Sequence, residues 1–526
     1  MTASPILYKI KKGHPINISS QKWILLATVF ITGACVLVIE LVGTRALSPF
    51  YGSGVYTWSA LISITLLALS IGYYAGGLLS DRYPDFFGIY FLILGAGLWT
   101  LITPWLAVHL LPDLATNFDI RIGILISSFV LFFPNLALLG AISPYCIRLL
   151  TQSHNIAGSI SGEVFAVSTI GSLLGALATG FYVIPNYGVK TVFMVCGSVL
   201  IILALLGSIK YLYDRKILTV MILSAICLSF ASTFKTRSET TLQIIDQQPS
   251  FYGLVQVIIK DGIKMLLVDG IAQNYVSEST SYKTPYIDFM TTIPELILPL
   301  TTEKKSALVI GLGAGELPAL LKGKGIATDA VEINPAVGRF AKLYFSSIID
   351  ESNLHYMDGR VFISQTDKTY DYIFMDAFSA EQVSWHLVTK EAFDEAKAKL
   401  APDGLLALNL TSTEDNQDIK SIQQTLKTSF PFVRSFMLDS ETSLTSIVYL
   451  ASSNPIQLTN DLSQLRPLTA IYISRFIDNE LDDYEGHDIY TDDFNPISNQ
   501  RLHVHLLWRE RMREFLSDEE MLWLTL

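Results

Sequence analysis

Three carboxylates in the second half of the chain each follow a short apolar run that predicts a β-strand. Glu332 closes the run ATDAVE, Asp358 follows LHYM and Asp376 follows YDYIFM. Strands that alternate with helices pair in parallel, and their carboxyl ends then meet at one edge of a sheet. The alternative is that these acids are solvated residues of connecting loops. That interpretation would explain one acid after a strand easily, but three such acids poorly. A cluster of this kind can bind ribose hydroxyls or amine protons and can supply a general base.

A glycine-rich turn precedes these acids. Gly311, Gly313 and Gly315 lie between the predicted strand SALVIGLG and the helix start ELPALLKG. Glu332 follows Gly311 by 21 residues, a separation at which an acid can accept both ribose hydroxyls. The Gly-x-Gly-x-x-Gly spacing is missing, and no lysine or arginine lies near the turn to meet a pyrophosphate. A nucleoside without phosphates, such as S-adenosylmethionine or a derivative, is therefore favoured over NAD, and nearby carboxylates would also stabilise its sulfonium charge.

The two halves of the chain differ in charge and hydropathy. Half of the 526 residues are hydrophobic and the mean hydropathy is +0.41. Residues 1–237 carry 14 lysines and arginines against 7 acidic residues, whereas residues 238–526 carry 23 against 41. We expect a domain boundary near residue 237. The acidic second half argues against nucleic acid as a partner, because phosphates require basic surfaces.

Apolar runs of spanning length predict a multi-pass membrane protein with a lipid bilayer as its partner. The predicted spans are 23–44, 58–79, 86–110, 122–143, 163–184, 190–209 and 217–234. Basic residues at Lys9, Lys11, Lys12, Lys22, Arg82, Arg148, Lys210, Arg215 and Lys216 place the N-terminus in the cytoplasm. We expect the protein to lie in the cell (inner) membrane, with its soluble domain in the cytoplasm. This expectation conflicts with the span count, because seven spans and a cytoplasmic N-terminus would place the soluble domain outside. Span 217–234 is the weakest and could instead lie in the interface.

A glycine motif, two acidic residues and the cysteines of the membrane half could each have a structural or a functional role. Gly171 and Gly175 form a Gly-x-x-x-Gly motif, which favours close helix packing. Glu40 and Glu163 are acids in or near spans, and such groups are candidates for function, although both lie near span ends. The four cysteines fit no metal site and no disulfide framework, so we interpret them as apolar packing residues.

The chain therefore predicts an α-helical multi-pass membrane domain followed by an α/β domain. We place the membrane domain at residues 1–237 and a small antiparallel β-sheet at 238–300, where KDGI predicts a hairpin turn. Residues 301–526 are predicted to form a doubly wound, Rossmann-like sheet of the S-adenosylmethionine-methyltransferase type.

Several segments resemble spermidine synthases, the polyamine aminopropyltransferases, and specifically their membrane-fused relatives. In the soluble half these are FYGLVQV, LLVDGIAQN, LVIGLGAGELPALL, AVEINPAV, MDGRVFI, YDYIFMDAF, HLVTKEAF and YTDDFNPIS; in the membrane half they are ELVGTRALSPFYGSG, GYYAGGLLSDRYP and GSLLGALATGFYVIP. Together they cover most of the chain. The resemblance implies a transferase that moves an aminopropyl group from decarboxylated S-adenosylmethionine to a polyamine or another amine. It implies no metal, and it leaves open whether the protein forms a homodimer.

The resemblance also implies roles for individual residues. Glu332 would hold the ribose. Asp358 would bind the adenine amino group, and Gly359, which follows it, would also belong to the cofactor site. Gln273 would line the cofactor site, and the glycines of the turn would let the backbone approach the nucleoside. Asp376 would help to deprotonate the attacking amine.

Three departures from the family pattern concern the amine and the donor. Ala314 replaces an aspartate that binds the aminopropyl ammonium, and Ser379 replaces the second acid of Asp-x-x-Asp. The family stretch Asp-Glu-x-x-Tyr-x-Glu aligns with residues 278–284, which keep Tyr282 as a substrate residue. Asp492 and Asp493 are candidates to substitute for the missing acids, or they cap a loop.

Two other functions remain open from the sequence. The loss of the ammonium-binding aspartate favours an S-adenosylmethionine-dependent methyltransferase, because ordinary S-adenosylmethionine carries a carboxylate as well. Glu40 and Glu163 favour a transporter or sensor whose soluble domain binds a nucleoside or polyamine without turnover. Trp385 and His386 would offer a stacking face or a proton relay near Asp376, or form a surface pair without chemistry.

Overall fold

The computed structural model describes most of both halves of the chain. The described residues are 18–52, 54–151, 156–208, 241–277, 285–297, 305–345, 350–377, 383–438, 444–459, 461–463, 465–516 and 520.

The membrane half is built from long apolar helices. Its elements are α1 (Ile18–Tyr51), α2 (Val55–Arg82), α3 (Phe86–Asn117), α4 (Ile120–Gly140), α5 (Ile142–Leu150), α6 (Ala157–Ala178) and α7 (Val189–Ser208). Within the described residues these helices supply six segments long and apolar enough to cross a membrane, with α4 and α5 forming one of them. They correspond to the first six predicted spans. The seventh prediction, 217–234, lies outside the described residues.

Glycines set the close approach of α6 to α1. A Cβ on Gly171 would lie 2.2 Å from the carbonyl oxygen of Phe30, and one on Gly175 would lie 2.7 Å from that of Ala34. Any larger residue would push the helices apart, so the predicted role of this Gly-x-x-x-Gly motif in packing is confirmed. Cys35, Cys146 and Cys196 are buried, as expected of apolar packing residues, while Cys227 lies outside the described part.

The soluble half contacts the end of the bundle at which α1 ends. The opposite end carries Lys22, whose Nζ lies 2.7 Å from an oxygen of Glu163. At the soluble side, Arg45 Nη1 lies 3.2 Å from Asp269 Oδ2. The last described residue of α7, Ser208, lies at the Lys22 end. The last described membrane helix therefore ends at the Lys22 end, where Gly207 packs on Tyr90 near the start of α3, whereas the soluble half contacts the other end.

A four-stranded antiparallel sheet opens the soluble half. Its strands, in the order β1-β2-β3-β4, are β1 (Gln243–Ser250), β2 (Gly253–Lys260), β3 (Ile263–Val268) and β4 (Ile271–Ser277). The two turns that flank β3 are Asp-Gly pairs: Asp261 (φ +51°), Gly262 (φ +75°), Asp269 (φ +48°) and Gly270 (φ +77°). Two consecutive left-handed residues define the tight hairpin turn that KDGI predicts.

The larger domain contains one seven-stranded sheet, in the order β10-β11-β9-β8-β5-β6-β7. Strands β5 to β9 are parallel, as the alternating pattern predicts, whereas β10 and β11 add an antiparallel edge that the sequence pattern did not reveal. The strands are β5 (Ser306–Ile310), β6 (Ala327–Glu332), β7 (Leu354–Tyr356), β8 (Tyr370–Met375), β9 (Leu400–Ser412), β10 (Phe432–Met437) and β11 (Thr445–Ser452).

Helices cover both faces of this sheet and bury a separate apolar cluster on each face. They are α8 (Pro285–Leu296), α9 (Glu316–Gly323), α10 (Pro335–Tyr344), α11 (Gly359–Gln365), α12 (Lys390–Lys397), α13 (Gln417–Ser429), α14 (Pro467–Asp478) and α15 (Ile497–Gln500). A further helix, α16 (Leu502–Phe515), follows α15. The doubly wound architecture predicted from the sequence is confirmed. It brings the carboxyl ends of β5, β6, β7 and β8 to one edge.

Helix α16 lies between the membrane bundle and the small sheet. Leu506 packs against the membrane core, while Met512 and Leu516 pack against the sheet. The guanidinium of Arg509 donates to the carbonyl oxygen of Ser48 in α1. Burial lowers the pKa of Arg509 to about 9, so this cation is held at a dry interface.

We expect Arg45→Gln to weaken the contact between the two halves. Arg45 also donates to the carbonyl oxygen of Phe251 at 2.6 Å. Burial raises the pKa of Asp269, and the positive charge of Arg45 opposes this rise. Loss of hydrogen bonds to a charged group costs roughly 1–3 kcal/mol. The apparent melting temperature of the purified full chain in detergent should fall. Arg148→Gln is the matched control, because the Arg148–Asp81 pair is more exposed (47% and 73%) and should contribute little. Equal melting temperatures for the two variants would contradict this prediction.

Candidate functional site

The glycine-rich turn follows β5 at the center of the sheet edge. Gly311 has φ +93° and Gly313 has φ +51°, conformations that favour glycine. A Cβ on Gly311 would lie 2.4 Å from the carbonyl oxygen of Asp376, and one on Gly313 would lie 2.1 Å from Asn274 Oδ1. The turn therefore depends on glycine for its backbone conformation and for its contact with neighbouring groups. Gly315, at φ +79°, precedes α9.

Asn274 in β4 holds this turn from the side of the small sheet. Its Oδ1 accepts a hydrogen bond from the backbone N–H of Ala314 at 3.1 Å, and the side chain is buried. Gln273, the residue that the resemblance assigns to the cofactor site, instead donates to the carbonyl oxygen of Ile271 at 3.3 Å. Its contact with a cofactor stays a prediction. The sequence reasoning missed Asn274, although it ends the quoted segment LLVDGIAQN.

Glu332 is buried at the end of β6 with both oxygens oriented by backbone groups. Its Oε2 accepts from the N–H of Leu312 at 3.1 Å, and its Oε1 accepts from the N–H of Asn334 at 2.8 Å. Burial raises the pKa of Glu332, and these hydrogen bonds oppose the rise. The carboxylate is thus held rigidly beside the glycine turn, where a pair of vicinal hydroxyls could donate to it.

Asp376 lies at the end of β8 beneath the same turn. Asn409 Nδ2 donates to its Oδ1 at 2.9 Å, and the Tyr286 hydroxyl donates to its Oδ2 at 3.3 Å. Burial raises the pKa of Asp376 to about 7, while these two hydrogen bonds hold it from rising further. A carboxyl with that pKa is suited to accept a proton near neutral pH.

Tyr286 is a site residue that sequence reasoning missed. The resemblance pointed to Tyr282, which lies outside the described residues. Tyr282 is followed by Thr284 where the family has an acid, whereas a Tyr-x-acid pattern occurs four residues later, at Tyr286 and Asp288, and could have indicated it. The structure brings Tyr286, at the start of α8, into contact with Asp376.

Tyr286→Phe should raise the pKa of Asp376, because the hydrogen bond that stabilises the charged form is lost. If Asp376 accepts the proton, the pH–rate profile should move to higher pH, and kcat at neutral pH should fall roughly tenfold. Tyr344→Phe is the control, since Tyr344 donates to Asp246 at 2.7 Å outside the site. An unchanged profile for Tyr286→Phe would contradict the assigned contact.

Asp358 caps α11 and contacts a histidine. Its Oδ1 accepts from the backbone N–H groups of Arg360 (2.9 Å) and Val361 (3.1 Å). Its Oδ2 lies 2.8 Å from His386 Nε2. Gly359 follows, where a Cβ would lie 2.4 Å from Ile310 Cγ2, so the start of α11 packs tightly against the end of β5.

The predicted substrate acids differ in their surroundings. Asp492 lies in an ion pair, with Oδ1 2.6 Å from Arg360 Nη1 and Oδ2 2.8 Å from Arg360 Nη2, and it also accepts from the Thr389 hydroxyl at 2.8 Å. The pair with Arg360 lowers the pKa of Asp492. Asp493 is exposed beside it. Binding of an amine by either acid stays a prediction.

The carboxylates at this edge could accept hydrogen bonds from a bound nucleoside. Glu332 has oxygens that the backbone N–H groups of Leu312 and Asn334 orient, and Asp358 Oδ2 contacts His386 Nε2. Among the described residues, no group of three or more histidine, cysteine, aspartate or glutamate side chains could hold a metal ion.

Comparison with known proteins agrees with this fold. Residues 284–455, which include α8 and strands β5 to β11, match the spermine/spermidine synthase domain. The chain is 33% identical to a polyamine aminopropyltransferase of Vibrio vulnificus over 156 residues, which are 28% of this chain and 52% of the relative. The match thus spans about half of that relative's length.

A longer alignment includes the membrane half. The polyamine aminopropyltransferase 1 of Streptomyces coelicolor is 23% identical over 498 residues, which are 85% of this chain and 88% of the relative. Among solved structures, a probable spermidine synthase from Corynebacterium glutamicum is 14% identical, with a TM-score of 0.39, and the match covers 48% of this chain and 96% of that one.

Proposed function

We propose that the protein is a membrane-anchored aminopropyltransferase that moves an aminopropyl group from decarboxylated S-adenosylmethionine to a polyamine or another amine. The observation that carries the proposal is Asp376, a proton acceptor with a pKa of about 7, placed directly under a nucleoside-type glycine turn. The spermine/spermidine synthase domain and the aminopropyltransferase relatives support the same reaction.

Different residues of the chain would bind the nucleoside and accept the proton. Glu332 binds the ribose hydroxyls, and Asp358 binds the exocyclic amine of the base, as the resemblance implies. Asp376 orients the attacking amine and accepts its proton, while Tyr286 and Asn409 hold that carboxylate in place. The amine nitrogen attacks the methylene carbon next to the sulfonium, the new C–N bond forms as the C–S bond breaks, and the electron pair stays on sulfur. Methylthioadenosine leaves as a neutral thioether.

The reaction is tested by incubating the purified full chain with decarboxylated S-adenosylmethionine and a panel of amines that includes putrescine. We expect methylthioadenosine and an aminopropylated amine in equal amounts. Release of neither product with any amine, from protein that still binds methylthioadenosine, would contradict turnover and favour the sensor or transporter alternative.

A methyltransferase is the second candidate, and Ala314 is the observation that favours it. The side chain of Ala314 is a methyl group, so this position supplies no acid for an aminopropyl ammonium; the residue is buried and its N–H donates to Asn274. Ordinary S-adenosylmethionine would then be the donor and S-adenosylhomocysteine the product. Calorimetry with the ordinary and decarboxylated donors separates the two: tighter binding of the decarboxylated form supports aminopropyl transfer.

We also propose that the soluble half lies at the cytoplasmic face, where a nucleoside donor is available. In the described geometry that half contacts the end of the bundle opposite Lys22, so the N-terminus would lie outside. The basic residues of the sequence favour the reverse orientation, and the two expectations exclude each other. Topology reporters fused separately to each terminus of the full chain decide between them. Reporters active on the same side would contradict the contacts of Arg45.

The sensor or transporter alternative has less support in the described membrane half. Glu163 is paired with Lys22 at 2.7 Å, and the two side chains are 33% and 42% exposed. A paired acid at a bundle end is suited to a structural role. Glu40 has no role in the proposed reaction, and uptake assays with Glu40→Gln would test whether it has another.

A further inference from the structure

Asp358 keeps one oxygen available although it caps a helix. Oδ1 is occupied by two backbone N–H groups, whereas Oδ2 contacts His386 Nε2 at 2.8 Å. The side chains of His386 and Asp358 are 32% and 25% exposed. A carboxylate oxygen has two lone pairs, so a ligand can reach Oδ2 while His386 stays bound to it.

His386 is held in this position by contacts to the backbone of its own segment. Arg360 Nη1 donates to the carbonyl oxygen of His386 at 3.2 Å, and Asn495 Nδ2 donates to that of Trp385 at 3.0 Å. Arg360 is itself bound by Glu395 and Asp492. The histidine is therefore positioned by groups that do not touch its ring.

Residues 490–495, which include Asp492 and Asn495, lie beyond the matched domain of residues 284–455. They are tied to the same region by a further bond, from the N–H of Lys390 to the carbonyl oxygen of Tyr490 at 2.8 Å. This arrangement gives the segment YTDDFNPIS a task that does not require its acids to bind an amine: it holds the Trp385–His386 turn against Asp358.

We propose that His386 is a specificity residue that, together with Asp358, selects a purine base with an exocyclic amino group, and that residues 490–495 position it. The inference rests on the proposed nucleoside site. With Nε2–H donating to Asp358, His386 orients Oδ2 so that its second lone pair accepts from the amino group of adenine. A 6-oxo base presents an acceptor at the same place and leaves Oδ2 facing another oxygen, so the site rejects it.

The test compares the binding of methylthioadenosine and of its 6-oxo counterpart, methylthioinosine, to the full chain in detergent by calorimetry. We expect the wild type to prefer the amino base by roughly 10–100-fold, the range of one hydrogen bond to a charged group. His386→Ala should lower this preference about tenfold, and His386→Gln, which keeps a donor, should restore part of it. The exposed His503→Ala is the control and should leave the preference unchanged.

Asn495→Ala provides a second variant that does not alter the ring, and it should lower the preference in the same direction. A folded His386→Ala protein with the wild-type preference would overturn the proposal. Wild-type protein that binds adenine and hypoxanthine nucleosides equally would also overturn it while leaving aminopropyl transfer intact. Wild-type protein that binds neither nucleoside would remove the proposed function and this inference together.

Discussion

Asp376→Asn is expected to lower kcat by roughly 10²–10⁴-fold, the usual contribution of a general base, while the affinity for the nucleoside changes little. Asparagine can keep a contact with Tyr286 and with Asn409 but cannot accept the proton of the amine. Initial rates with the decarboxylated donor and the best amine, together with calorimetric binding of methylthioadenosine, measure the two effects separately.

Asp371→Asn is the matched control for this substitution. Asp371 is the second residue of the same strand, β8, and accepts from the backbone N–H of Ser306 at 2.8 Å and from Lys305 at 3.1 Å. It lies at the opposite edge of the sheet, so its loss should affect stability and leave kcat and its pH profile unchanged. If Asp376→Asn retained kcat within a few-fold, Asp376 would not be the proton acceptor.

The pKa of Asp376 also sets the direction of two pH effects. Because the charged form accepts the proton, kcat/KM should rise as the pH rises through about 7. Stability should change the other way: the native pKa lies above the ordinary value of 3.8, so the native state binds more protons between these values and loses stability as the pH rises. Asp376→Asn should therefore be as stable as the wild type, or more stable, at pH 8, about one unit above that pKa.

Short sequence patterns predicted much of the fold because turn conformation and the alternation of strands and helices depend on residues that are close together in the chain. Three glycines of the turn have positive φ, and the Asp-Gly hairpin forms as its composition requires. The alternation of strands and helices predicted β5 to β9. Strands β10 and β11 were missed because an antiparallel edge depends on long-range pairing, such as Ile447 with Leu410, which no local period encodes.

The site shows the same division between local and long-range information. Glu332, Asp358 and Asp376 could be predicted because strand ends meet at one edge. Asn274 could not, because it belongs to the small sheet and reaches the edge through the tertiary fold. The Tyr-x-acid pattern at Tyr286 could have indicated that residue, but its contact with Asp376 depends on the tertiary fold. The resemblance pointed to Gln273, the neighbour of Asn274 in β4, and to Tyr282, which lies outside the described residues; both roles stay predictions.

Glu332→Ala is expected to weaken binding of methylthioadenosine roughly 100-fold, since two ribose hydroxyls would lose a charged acceptor. The rate at saturating donor should change much less, because Glu332 touches neither the sulfur nor the amine in the proposed reaction. The buried carboxylate also accepts from Leu312 and Asn334, so part of the loss would reflect a looser turn. Thermal melts of the ligand-free protein estimate that part.

The pH dependence of binding distinguishes the two contributions to the effect of Glu332. Burial raises the pKa of Glu332 above 4.5, so nucleoside binding by the wild type should weaken as the pH falls through that raised value. Glu332→Ala should lose this dependence. Asp329→Asn, on the same strand but bonded to Lys368 at 2.7 Å and Tyr370 at 2.8 Å, should retain both the affinity and its pH dependence. If Glu332→Ala bound the nucleoside as the wild type does, the ribose would have to lie elsewhere, and the glycine turn alone could not place the donor above Asp376.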